Sequence, residues 1–455
     1  MDFSKYLNFK SVLFGLGLFA TVIAVLGFSG KIPFFNSSSS NQKLTGTVKV
    51  WGTLSQEGMS NFVSAFNKEA KTYSMQYTEV PYNQFNNKLT SALADGVGPD
   101  LIIGPVDLAL ANISRLFPIN TTTIPESVYK NSFIDSAAIL IYPPYGYIAL
   151  PVSIDPLVLY YNKDILSSNG FLYPPTTWGD LYTYERKITK KDDSQNISLS
   201  TIAFGTYDNI PHVTDIILSM IFQQGQIPVV KSIARDSDGN SISKYTILVD
   251  QSITDDGNSP LNSALAFTKD FSDTQKDTYN WNPKSGDALS KFISGNLAFY
   301  IGYASESYYV KSANQKLSFD YTYLPQADGS KISATYGKLN TIFMLRTSPN
   351  ASETSLAYQI MIALATGPFS QNLVSTTGAV SALKANIAEE ISSGGQDAEI
   401  FGNSALISKT FYDLHRQDLE SLMREAIREV YNGEKSTVEA SKEFTDNLQA
   451  VYDGE

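Results

Sequence analysis

The sequence predicts an α/β protein of more than one domain. Three observations carry that prediction. Short β-prone runs alternate with amphipathic helical stretches from residue 47 onward. The chain has 455 residues, too many for one ordinary core. Its 43% hydrophobic and 17% charged residues describe a globular chain rather than a disordered one.

"SVLFGLGLFATVIAVLGFSG", residues 11–30, contains no charge and is long enough to span a hydrocarbon core as a helix. Lys5 and Lys10 precede it, which places residues 1–10 on the cytoplasmic side. A cleaved signal peptide is the rival reading, but its best small-residue site, Gly27-Phe28-Ser29, is poor. "FFNSSSSNQKLTG" follows, so 31–45 reads as a Ser-rich linker. The remainder of the chain is then expected outside the cytoplasmic membrane, held by one N-terminal anchor.

"TVKVWGT" (47–53) alternates as a strand. Ser55 can cap a helix whose Met59, Phe62, Val63, Phe66 and Ala70 share one face. "YSMQYTEV" (73–80) reads as the next strand, and Tyr82, Phe85, Leu89 and Leu93 mark a second helix ending at Asp95-Gly96. "PDLIIG" (99–104) is a short buried strand. This β-α-β-α-β order predicts a parallel sheet covered by helices. "ARDSDGNSISK" (234–244) sets Asp236, Asp238 and Asn240 at alternate positions, yet no carboxylate stands at the twelfth position of a calcium loop. A hairpin turn on Asp238-Gly239 is expected instead. Near the C-terminus, Leu419, Leu422, Met423, Ala426, Ile427 and Val430 form one apolar helical stripe, and Phe444, Leu448 and Val451 another.

Charge and composition exclude several functions. The net charge is −11, and residues 1–31 carry three lysines against one aspartate, leaving −13 on the rest. Such a body repels phosphate backbones, so nucleic acid is not an expected partner. Cysteine is absent, which removes disulfides, thiolate catalysis and thiolate metal sites. His212 and His415 are the only histidines, so no metal site or cofactor is expected.

Five stretches, in order, resemble the extracellular solute-binding proteins of ABC importers, family 1, the maltose-binding-protein-like group. They are "VKVWGT" with its helix, "LADGVGPDLIIGPVD" (93–107), "ALPVSIDPLVLYYNKDIL" (149–166) with "PPTTWGDL" (174–181), "ALSKFISGNLAFYIGYASES" (288–307), and the segment 345–385 with its Gly-Ala-Val turn. The likeness covers about 46–455. It implies a type II periplasmic-binding-protein-like fold: two α/β lobes with a ligand cleft between them. The implied N-lobe is 46–154 with 330–385, and the implied C-lobe is 156–328 with 386–455. It further implies a monomeric receptor, not an enzyme, that passes a solute, a carbohydrate above all, to ABC permease subunits.

Ligands of open α/β sheets sit beyond the carboxyl ends of strands. Trp51, Thr53, Asp107, Tyr303 and Glu306 occupy such positions. A sugar needs hydroxyl partners and aromatic faces. Asp107, Asp155 and Glu306 are the carboxylate candidates; Trp51, Tyr207, Trp281, Tyr303 and Tyr336 are the aromatic ones. The resemblance places Asp155 where the family often sets an acidic sugar contact, and Tyr336 in a loop beside the cleft. Plainer roles stand beside these. Trp51 and Tyr207 can be core, and Asp107 can cap the helix near Leu108. Asp155 can end a strand or pair with Lys163, and Glu306 can be an exposed charge. Trp178 and Trp281 read as structural. Two other functions stay open: a hydrolase using Asp155 and Glu306, if their carboxyls lie about 5–5.5 Å apart, and a solute-sensing subunit of a membrane receptor.

Overall fold

The computed structural model describes residues 45–70, 72–235, 241–250, 259–346, 355–367 and 369–454. The anchor expected at 11–30 and the linker through residue 44 lie outside the described residues. Among the described residues, no helix is long and apolar enough to cross a membrane.

The chain forms two compact units. The first runs to Asp155 and adds Gly337–Leu406; the second comprises Pro156–Tyr336 and Ile407–Glu455. The chain therefore passes between units three times, at 155/156, 336/337 and 406/407. The helix Lys384–Ser393 falls in the first unit, whereas the sequence reading put 386 onward in the other lobe. Its neighbours explain the placement: it packs on the strand Val380–Ser381 and the helix Glu126–Ser132, and Lys384 Nζ pairs with Asp135 at 2.8 Å. No sequence periodicity carries that information.

In the first unit the strands Gly46–Gly52, Tyr73–Glu79 and Leu101–Pro105 form a parallel sheet with Gly46–Gly52 in the middle. Residues 340–344 add an antiparallel strand beside Leu101–Pro105. The helix Gln56–Ala70 buries Met59, Phe62, Phe66 and Ala70, at the predicted spacing. Ser55 Oγ accepts the Gly58 N–H at 3.1 Å, as an N-cap does. Phe85, Leu89 and Ala92 do the same for the helix Phe85–Ala94. Each fully buried Phe or Leu contributes about 1.5–3 kcal/mol of hydrophobic stabilisation.

The second unit centres on the far half of the strand Leu150–Asn162. Residues 157–161 pair antiparallel with Leu297–Tyr303, and 158–162 with Phe319–Tyr323. Leu297–Tyr303, buried along its whole length, pairs parallel with Ile197–Ile202. In the first unit, Ser153 and Ile154 pair with the strand Val380–Ser381. Asp155 and Pro156 thus lie between the ladder that ends at Ile154 and those that begin at Leu157 and Val158. A proline, which has no N–H, is tolerated at such a junction. The strands Val229–Arg235 and Ser241–Ile247 pair antiparallel, as the hairpin reading requires; its Asp238-Gly239 turn lies outside the described residues. The two C-terminal helices, Arg416–Asn432 and Thr437–Asp453, bury Leu419, Met423, Ala426, Ile427 and Val430 and, in turn, Phe444 and Leu448.

Candidate functional site

Four candidate residues belong to the first unit. Trp51 is half-buried near the end of its strand and meets the Phe85 ring edge-on, centroids 6.5 Å apart. Thr53 continues the strand end, its N–H donating to Ile103 O at 3.2 Å. Asp107 lies in the first turn of the short helix Val106–Ala111, whose N-cap is Pro105, and its carboxylate accepts the Tyr82 hydroxyl. It is therefore not the cap. Asp155 is 8% exposed. Lys163, its alternative partner, is paired with Asp320 at 3.8 Å.

Three of the other four candidates, Tyr303, Glu306 and Tyr336, join one side-chain network in the second unit; Tyr207, in the same unit, has its own partners. The hub of the network is Asp215, 2% exposed on the otherwise apolar helix Val213–Gln223. Tyr303 donates its hydroxyl to Asp215 Oδ2 at 2.6 Å, and Arg416 Nη2 donates to Oδ1 at 2.6 Å. Arg416 also stands over the Tyr336 ring at 5.7 Å and donates to the Tyr336 hydroxyl at 3.4 Å. Its other partners are Asp413 at 3.4 Å and Glu420 at 2.7 Å. Tyr207 contacts Thr214 Oγ1 through its hydroxyl at 3.2 Å, and Arg424 lies 5.0 Å over its ring. Glu306 holds the second branch. Its Oε2 accepts the Tyr300 hydroxyl at 2.7 Å, its Oε1 faces His212 Nε2, and the His212 ring meets Tyr303 edge-on at 4.6 Å.

Electrostatics fix the protonation of this network. Burial, then the charge of Asp215, raises the Tyr303 pKa well above the ordinary phenol value, so Tyr303 stays a donor. Burial, then Glu306, does the same to Tyr300. Burial alone would lower the Arg416 pKa, but Asp215, Tyr336, Asp413 and Glu420 outweigh it and hold the guanidinium charged. The result is a preorganised array of donors, acceptors and rings, suited to a polar, uncharged ligand. Among the described residues, no group of three or more His, Asp or Glu side chains could hold a metal ion.

Sequence reasoning missed His212, Asp215, Arg416 and Arg424. Asp215 left one trace, a lone carboxylate inside "VTDIILSMIFQ". Arg416 left none, because its partner lies 201 residues away. Trp178 and Trp281 are structural: Trp281 is fully buried and donates to Asn209 at 3.3 Å, and Trp178, 5% exposed, donates to Gln223 at 2.7 Å.

A family profile described as bacterial extracellular solute-binding protein matches residues 61–398. A Brucella abortus protein named as a binding protein is 30% identical over 131 residues. That match spans 27% of this chain and 30% of the relative's length. Among solved structures, the sugar-binding protein MalE from the phytopathogen Xanthomonas citri superposes with a TM-score of 0.69 at 17% identity, covering 90% of this chain and 98% of the other. The cyclic alpha-maltosyl-1,6-maltose binding protein from Arthrobacter globiformis gives 0.69 at 16% identity, covering 90% and 99%. The likeness establishes the two-lobed α/β solute-binding fold.

Proposed function

The chain belongs to the bacterial extracellular solute-binding proteins, and from that premise we propose that it captures a carbohydrate. It then delivers that solute to the permease subunits of an ABC importer. The observation that carries the reading is the gathering of Tyr303, Glu306 and Tyr336 with His212, Asp215 and Arg416 in one network of the second unit. Such a network holds aromatic rings and polar groups in fixed positions, as a sugar site does. Trp51, Thr53, Asp107 and Asp155 are the contributions of the first unit. The protein acts as a monomeric receptor tethered to the membrane through residues 11–30, with the binding units outside the cell.

Thermal unfolding against mono- and oligosaccharides, with amino acids and peptides as controls, tests the ligand class. A saccharide at about 100 times its Kd adds about 2.7 kcal/mol of stability. That raises Tm by roughly 5–11 °C for a domain of 150–250 residues. Stabilisation by the controls alone would overturn the carbohydrate reading. Deleting the gene and measuring uptake of the stabilising saccharide tests delivery: uptake should fall, whereas a purely sensory subunit would leave it intact.

A further inference from the structure

We propose that His212, a residue with no assigned role, is the group through which the second unit meets a solute hydroxyl, with Glu306 orienting it. The proposal rests on the carbohydrate reading above and names the atom that does the binding. Both oxygens of Glu306 are already engaged, by the Tyr300 hydroxyl and by His212 Nε2. Tyr303 is 2% exposed and its hydroxyl is committed to Asp215. His212 and Glu306 are comparably exposed, 22% and 20% of their side chains, and the hydrogen bonding of His212 within the protein is confined to Nε2.

That arrangement sets the tautomer. A carboxylate facing Nε2 requires the proton there, so the neutral ring presents Nδ1 as a lone-pair acceptor. The hydrogen position follows from this network. Nδ1 has no protein partner and is matched to an O–H donor. Glu306 and Asp215 close by disfavour an anionic ligand, so the class is a neutral polyol or saccharide. The backbone points the same way. His212 has a φ of 59°, one of two non-glycine left-handed residues among those described. Such a conformation costs about 1–2 kcal/mol and persists where the surroundings enforce it, commonly at functional sites.

The charged and titratable groups facing the ring are Glu306 with Tyr300 behind it, Tyr303 on the adjoining strand, and Asp215 on its own helix. Behind these, Tyr207 lies against Thr214, and Arg416 reaches Asp215 from the helix Arg416–Asn432.

The test is calorimetric titration of the full chain with maltotriose and with mannotriose at pH 7.5, alongside thermal unfolding without sugar. Wild type should bind at least one of the two. H212Q keeps an amide N–H toward Glu306 but lacks the Nδ1 acceptor, so its affinity should fall about tenfold or more while Tm moves by only a few degrees. H212N places a carboxamide oxygen where Nδ1 stood, and asparagine tolerates the left-handed backbone. It should bind within about threefold of wild type. H212Q affinity equal to wild type, or H212N affinity as low as that of H212Q, overturns the role of His212 alone. Wild type binding neither sugar overturns the carbohydrate reading and the His212 assignment together.

Discussion

Replacing Arg416 with methionine removes a cation that meets the buried carboxylate at the hub of the second-unit network. Methionine keeps the length and apolar body of the side chain and deletes only the guanidinium. Asp215 is 2% exposed and would keep the Tyr303 hydroxyl, but lose the 2.6 Å contact to Nη2. Asp413, with a side chain 5% exposed, would lose its 3.4 Å contact. Glu420 is 46% exposed, so its contact adds no more than about 0.5 kcal/mol. Breaking a buried pair from one side costs about 3–5 kcal/mol, because a charge is left in a poorly solvated place. For a domain of this size, R416M should therefore lower Tm by roughly 6–20 °C. The companion variant D215N/R416M removes the stranded charge as well and should recover about 1–2 kcal/mol of the loss. Urea unfolding of the wild type, both single variants and the double variant closes the cycle. A loss below about 1 kcal/mol in R416M, or a double variant no more stable than R416M, would refute the argument that this pair organises the unit.

Two carboxylates should shape stability against pH in opposite senses. Burial works to raise the Asp180 pKa but is outweighed by hydrogen bonds from the Thr177 and Thr176 backbone N–H groups and the Thr176 hydroxyl, so the net shift is downward. Its stabilisation is complete above the ordinary carboxylate range and lost as pH falls through the lowered folded value. D180N should cost about 1–2 kcal/mol at pH 7, and the deficit should shrink below about pH 4 in Tm measurements. Glu185 is shifted the other way, by burial first, against Lys191, Thr189 and Arg186; it is 2% exposed and its Oε2 has no hydrogen-bond partner. Its charged form is disfavoured in the fold, so wild type loses stability as pH rises from the ordinary glutamate range to the raised folded value. E185Q should match wild type near pH 4 and unfold at a higher temperature at pH 7; an equal Tm at both would contradict this. G302A tests the support of Glu306. A Cβ at Gly302 would overlap the packed Tyr300 ring and Glu306 Oε2, so the variant should lose about 1–3 kcal/mol and weaken saccharide binding. Unchanged affinity would separate Glu306 from the site.

The strand and helix order of the first unit was legible because each signal is local. Met59, Phe62 and Phe66 repeat at helical spacing, and Val48 and Val50 alternate along a strand; both patterns survive into the buried core. The strand-end rule also led to Tyr303 and Glu306, and both stand in the network. What it did not reveal is orientation. Tyr303 turns inward to Asp215, and Glu306 turns to His212, because each carboxylate or phenol in a dry setting goes to the strongest available partner.

By itself, then, the sequence determined the α/β class, the helix faces and the hairpin around residue 238. Hydrophobic period and turn chemistry act over a few residues. The family resemblance implied two further changes of lobe, near 330 and 386, and only the tertiary structure placed them at 336/337 and 406/407. It alone also decided that Arg416 neutralises Asp215 from 201 residues away and that His212 pairs with Glu306. Those choices depend on which buried charges find partners once distant segments have closed on one another, and no local periodicity encodes the partner.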